Sequence, residues 1–212
     1  MIKIENVQLF GWDAAIRGMR NPKNSWSNSD TNWVRYYGMN NPMCDDFIGE
    51  NDLNLMKTLS KAGTDHGKFL RMIHVQVDVT APLYWWKEAD QYKVGTVTDS
   101  CSTMHKIHAK EVTLDDFSYE HLYPGAKGTL KDTIWDLNYY RVMYLSTKDK
   151  ADWWQMIQLL PSSYNQKRTW DLNYAVLKAI YHARKDHKLD EWKELCKWIE
   201  TLPYAKELIV GD

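Results

Sequence analysis

The stretch FLRMIHVQVDVTAP, residues 69–82, decides the fold class. Within it Ile73, Val75, Val77 and Val79 alternate with Met72, His74, Gln76 and Asp78, and a period of two is the mark of a strand with one buried face. The strand is expected over Phe69 to Val79. Thr80-Ala81-Pro82 should break it, because proline donates no ladder hydrogen bond, and Pro82 suits the first turn of a helix through Tyr84, Trp85, Trp86 and Ala89.

Working outward, Leu53, Leu55, Met56 and Leu59 fall at helical spacing between Asn51 and Ala62, and Gly63 follows as a helix stop. Lys3 to Phe10 reads as an edge strand and Trp12 to Met19 as a short helix. Asn21 to Asn41, rich in Asn, Ser, Gly and Pro, reads as a long loop. Downstream, helical patterns run over Leu130 to Leu145, Lys148 to Leu160 with a stop at Pro161, Trp170 to Arg184 and Leu189 to Thr201. One clear strand among several helices predicts an α+β fold, with further strands hidden in the middle third. No internal repeat or low-complexity linker interrupts the chain, so residues 1–212 are expected to form a single domain.

Hydrophobic residues make up 44% of the chain and charged residues 26%, which is too apolar for a disordered chain. No apolar run approaches the roughly 20 residues that cross a bilayer, and charges interrupt the opening MIKIENVQLFGWD where a signal peptide needs an apolar core. A cytoplasmic protein with no membrane partner is expected. Cys44, Cys101 and Cys196 are odd in number and widely spaced, which suits free thiols in a reducing compartment. The net charge of -1 supplies no field for non-specific nucleic-acid binding. With 11 Trp and 13 Tyr against 4 Phe, the chain carries many flat rings with a polar edge, suited first to core and subunit-interface packing and second to a planar ligand.

The sequence contains no G-x-G-x-x-G after a strand, no P-loop, no H-E-x-x-H and no G-x-S-x-G, which argues against those enzyme classes. His105 and His108 could share a helical face, but no Cys or carboxylate pattern completes a metal site around them. The segment PLYWWKEADQYKVGTVTDSCSTMHK, residues 82–106, puts a helix, a glycine and a cluster of hydroxyls and cations in succession. Such a segment is either a phosphate-holding loop or a polar surface loop.

The order of helix, Ala-Gly-Thr, alternating strand, Pro-aromatic helix and basic Gly-Thr loop resembles the flavin-dependent thymidylate synthases. The loop of that family reads R-H-R-x-x-S-x-N-E-x-S-x-R. Here Gln91 and Tyr92 replace its first Arg and His, Lys93 stands for the second Arg and Thr96 for the first Ser. Beyond Thr96 the family Asn-Glu falls on Thr98-Asp99 or Asp99-Ser100. The substrate-side Ser falls on Cys101 or Ser102, of which Ser102 keeps the chemistry, and the closing Arg falls on Met104. Further on, LLPSSYNQKRTWDLN at residues 159–173 is similar to the family's L-P-x-x-x-Y-x-R-x-x-W-x-x-N, with Lys167 in the Arg position and Asn173 at the end. Arg184 to Lys193 is similar to R-x-D-x-H-A-Q-x-E-I-R with one deletion, keeping His187 and placing Lys193 where the family has Arg. The resemblance spans about residues 50–210 and is vague before residue 49.

The resemblance implies a mixed sheet packed against several helices, and a homotetramer whose subunits share FAD and dUMP sites. It implies reductive methylation of dUMP or a related pyrimidine nucleotide, with methylenetetrahydrofolate as one-carbon donor and NADPH as reductant, and needs no cysteine nucleophile. Carried onto this sequence, Tyr92, Lys93, Thr96, Asn173, Arg184 and His187 are implied to bind the cofactor, and Asp99, Ser102, Lys167 and Lys193 the substrate, with Ser102 and Lys193 in catalytic positions. Replacing three Arg by Lys keeps the charge and loses the planar fork. A non-catalytic nucleotide- or flavin-binding paralogue is the alternative.

Overall fold

A computed structural model describes residues 2–33 and 47–211. In chain order it places strand β1 (Lys3–Phe10), helix α1 (Trp12–Arg20), α2 (Glu50–Lys61), β2 (His74–Pro82), α3 (Leu83–Ala89) and β3 (Val97–Ser100). Then come α4 (Thr103–Lys106), α5 (Pro124–Thr147), α6 (Lys150–Leu159), β4 (Asn165–Asn173), α7 (Tyr174–Arg184) and α8 (Asp190–Ile199), before a terminal π-helical turn, Lys206–Val210. The fold is α+β, with a four-stranded sheet in the order β1-β2-β4-β3. β1 is an edge strand, as its sequence predicts.

The strand at the centre of the sequence reading starts later and ends later than expected. Residues 67–72 form a 3-10 helix, so β2 begins at His74, and Thr80-Ala81-Pro82 continues it rather than breaking it. Pro82 is tolerated because it is the last strand residue and the N-cap of α3. Val75, Val77, Val79 and Ala81 are fully buried, so the alternation identified the buried face correctly. The expected helix from Trp170 begins only at Tyr174, because Trp170 to Asn173 complete β4. Two 3-10 turns, Asn21–Lys23 and Trp26–Asn28, structure the first part of the expected loop. Its residues 34–41, and Cys44, lie outside the described residues.

The chain divides into two compact units. The first comprises Met1–Lys3, Val79–Gln91 and Asp99–Thr169, and the second Ile4–Asp78, Tyr92–Thr98 and Trp170–Asp212. In the first, α5 and α6 form a hairpin whose inner face buries Leu130, Leu137 and Met156 with Ile107, Val112 and Phe117.

The second unit is organised by a buried ion pair. Arg20, at the end of α1, donates from Nε to Asp52 Oδ1 at 2.7 Å, and both side chains are excluded from solvent. The other Asp52 oxygen accepts from Ser29 Oγ, Asp30 N, Thr31 N and Thr31 Oγ1. Asp30 reciprocates, taking the amides of Asn51 and Asp52 in the first turn of α2. Burial alone raises the Asp52 pKa, but the hydrogen bonds from Thr31, Ser29 and Arg20 and the Arg20 charge outweigh it, and the net direction is down from 3.8. At the start of α1, Trp12 meets Phe47, Tyr174 and Tyr204 edge-on, and the Tyr204 hydroxyl accepts the amides of Phe47 and Ile48.

Asp52→Ala strands a buried guanidinium and is expected to cost about 3–5 kcal/mol in urea denaturation. Because the carboxyl is held below its ordinary value of 3.8, its contribution is full above that value and disappears as pH falls through the lower folded value. The stability gap between parent and variant should therefore close only in acid. A gap that stays constant below about pH 3 contradicts this assignment.

Candidate functional site

The cofactor positions named by the resemblance come from three separated stretches, and the second unit gathers most of them. Residues 92–98 form a strap lying on the start of α7. Gly95 adopts φ +78, and a Cβ there would stand 3.0 Å from Asn173 Nδ2 and 3.4 Å from Val176 Cγ2, so only glycine lets the strap lie this close. Asn173 ends β4 and caps α7, accepting from Val176 N at 3.1 Å while its Nδ2 donates to Gly95 O at 3.4 Å. The Thr96 hydroxyl donates to Tyr92 O.

Tyr92 meets Arg184 from the last turn of α7, whose Nε donates to the Tyr92 hydroxyl at 3.0 Å. The guanidinium lies 4.8 Å from the Trp192 ring centroid and 5.7 Å from that of Tyr92. His187 is part of the same cluster, with its ring edge towards Trp192 and its Nδ1 accepting from Leu189 N at 3.2 Å. Lys93 is exposed and forms no hydrogen bond or ion pair with the described residues. Lys193 is exposed on α8 and donates to Asp190, one turn earlier, at 3.0 Å.

The other substrate positions belong to the first unit. Asp99 is exposed on β3. Ser102 caps α4, its Oγ accepting from His105 N at 3.0 Å. Lys167 is half-buried in β4 and lines a cleft of about 720 Å³ with Lys110, Asp116, Tyr164 and Cys101. There Lys110 is paired with Asp116, and burial together with the Asp116 charge pushes the Tyr164 phenol up. Met104, where the family has its closing Arg, is 54% exposed, and its backbone carbonyl accepts from Trp153 Nε1.

Of the two cysteines described, Cys101 is exposed, whereas Cys196 is buried and its thiol is pushed up to about 11, mainly by that burial. Cys196 is therefore no nucleophile at neutral pH.

Two residues that sequence reasoning did not single out complete these sites. Trp192 is the ring on which Arg184 rests, and its place in the buried series Trp192, Leu195, Cys196, Ile199 was the available signal. Arg168, beside Lys167, spans Asp90 at 2.7 Å and Gln166 at 3.0 Å and lies 4.3 Å from the Trp86 ring centroid. Strand alternation thus gives the arginine a structural role and leaves the lysine to the cleft.

Tested against a flavin dinucleotide, the cluster fits the pyrophosphate better than the ring. Arg184 and Lys93 supply cations, whereas the Tyr92 and Trp192 faces are already engaged by Arg184. Tyr92→Phe removes the acceptor of Arg184 Nε and should cost about 0.5–1.5 kcal/mol, with faster amide exchange over residues 93–97. Lys193→Ala, which removes only a surface pair, should cost less than about 0.5 kcal/mol. Equal effects of the two substitutions in urea denaturation would overturn the distinction.

No protein-family model and no curated relative matches the sequence. Solved structures do. Thymidylate synthase X from Helicobacter pylori, crystallised with FAD and dUMP, is similar over 99% of this chain and 97% of its own, with a TM-score of 0.66 at 15% identity. A second structure of the Helicobacter pylori enzyme with FAD and dUMP covers 97% and 98%, with a TM-score of 0.64 at 15% identity. The UMP/dUMP methylase PolB from Streptomyces cacaoi, bound to 5-bromo-UMP, covers 100% and 94%, with a TM-score of 0.63 at 13% identity. The chain has the fold of the flavin-dependent thymidylate synthases.

Proposed function

We propose that this protein is a cytoplasmic enzyme that methylates dUMP or a related pyrimidine nucleotide, using methylenetetrahydrofolate, NADPH and FAD. The observation that carries this reading is the strap of Tyr92, Gly95 and Thr96 held along α7, by the Asn173 cap at its start and by Arg184 in its last turn, with His187 beside Trp192. Similarity over the whole chain to nucleotide-methylating enzymes supports it.

Reduced FAD, when bound, would supply the hydride that completes the methyl group. Lys93 and Arg184 would hold its pyrophosphate, since a free ammonium and a guanidinium are suited to a phosphate pair. In the first unit Lys167 would neutralise the nucleotide phosphate or polarise a ring carbonyl, and the cleft beside it would exclude water. Ser102 would present its hydroxyl from the α4 cap, Asp99 would accept from the nucleotide, and Lys193 would stand in the second catalytic position by leaving Asp190.

A homotetramer belongs to the same proposal. It is supported by the exposed faces of Trp135, Tyr139 and Val142 on α5, spaced so that they form one stripe.

The closed state of the cluster favours a second reading, a non-catalytic nucleotide-binding paralogue. The hydroxyls of Tyr92 and Thr96 and both ends of the Asn173 amide already have partners inside the chain. Visible absorbance after FAD loading and desalting, together with dUMP titration, separates the readings. The enzyme reading expects flavin bands, and a loss of roughly ten- to a hundredfold in affinity for FAD in Lys93→Ala and for dUMP in Lys167→Ala. A colourless protein that still binds dUMP supports the paralogue, and one that binds neither defeats both.

A further inference from the structure

We propose that the hollow between α4 and the α5–α6 turn is an anion-binding site, separate from the flavin and nucleotide positions and independent of that reading. The hollow, about 400 Å³, is lined by His105, His108, Lys148 and Lys150, with Tyr144 and Trp153 as walls. Among the described residues no carboxylate lines it. The acids nearest in the chain are turned to other partners: Asp149 Oδ1 accepts from Ala151 N at 2.9 Å, and Asp152 Oδ2 from Thr147 Oγ1 at 3.3 Å. Two lysine ammoniums and two imidazoles thus line one hollow, with no counter-ion among the described residues of the lining.

A second observation points the same way. His108 Nδ1 is buried and has no hydrogen-bond partner among the described residues, while its ring packs edge-on against Tyr144 with centroids 5.0 Å apart. A buried polar nitrogen left unpaired is costly, and a turn of the ring that brings Nδ1 to the hollow would let an anionic oxygen accept from it when Nδ1 carries the proton. Lys148 and Lys150 add compact point charges, the type of donor that binds phosphate or carboxylate without demanding a planar fork. The size and donor set suit a small polyanion carrying phosphate or carboxylate groups.

Calorimetric titration of the full chain at low salt tests this with two probes, inorganic pyrophosphate and citrate, while nitrogen NMR follows the His108 ring. Pyrophosphate is expected to bind, to move the His108 Nδ1 resonance, and to lose at least tenfold in affinity in the Lys148→Ala/Lys150→Ala variant, whose altered side chains are exposed. Citrate that competes assigns the site to polyanions in general, and citrate without effect assigns it to phosphates. Lys167→Ala should leave the His108 shift on pyrophosphate addition unchanged. If Lys167→Ala abolishes binding and the Lys148/Lys150 variant does not, the anion sits in the cleft of the first unit and the proposal fails while the nucleotide reading stands. An unmoved His108 signal, or no binding of pyrophosphate, also overturns it.

Discussion

Burying a carboxylate is expensive, and the second unit is arranged so that the Asp52 carboxylate is fully compensated. Five hydrogen bonds, one of them from the Arg20 guanidinium, tie the end of α1 and residues 29–31 to the first turn of α2. From α2 the dependence passes onward. Ser60, near its other end, accepts from Lys178 of α7 through both its carbonyl and its hydroxyl, and that hydroxyl donates to Leu208 O. α7 begins at the Asn173 cap that holds Gly95, so the strap is positioned by a helix whose own place is fixed by a chain of satisfied polar groups. Remove the carboxylate and each later link loses its reference.

The elements most legible in the sequence are those whose buried side is apolar. β2 declares itself through Val75, Val77 and Val79, and the helices α7 and α8 through their spacing. β4 does not, because its inward positions begin with Gln166 and Arg168, whose burial is made tolerable by hydrogen bonds to Cys101 O and Asp90. Polar residues at core positions erase the period-two signal that a strand needs to be recognised. Pro82 misled for a different reason: proline is a strand breaker in general, but at the last residue of a strand it has no ladder bond to lose.

The candidate site was legible as a list and not as a mechanism. Motif order selected Tyr92, Asn173, Arg184 and His187; Tyr92, Arg184 and His187 lie around Trp192 while Asn173 holds Gly95 at the other end of α7, and nothing in the spacing indicated that Arg184 would be engaged by Trp192 and the Tyr92 hydroxyl. Lys193 shows the opposite: a position chosen by motif whose side chain pairs on the surface with Asp190. His105 and His108 stood out by their spacing, but the lysines that share their hollow lie some forty residues away and could be joined to them only by the α5–α6 turn.

The clamp on Arg184 also bears on how quickly and how tightly any ligand can use it. The Tyr92 hydroxyl takes only Nε, so a ligand that needs the guanidinium in another orientation would first have to break a charge-assisted hydrogen bond, about 1.5–3 kcal/mol, together with the two ring contacts. For such a ligand the receptive orientation would be about one part in ten to one in a hundred, and its apparent affinity would fall by that fraction. A monoanion would gain little from such a group. A ligand with two phosphates would recover part of that loss through a second cation such as Lys93, so on the proposed reading the closed strap would favour ligands that carry more than one charge.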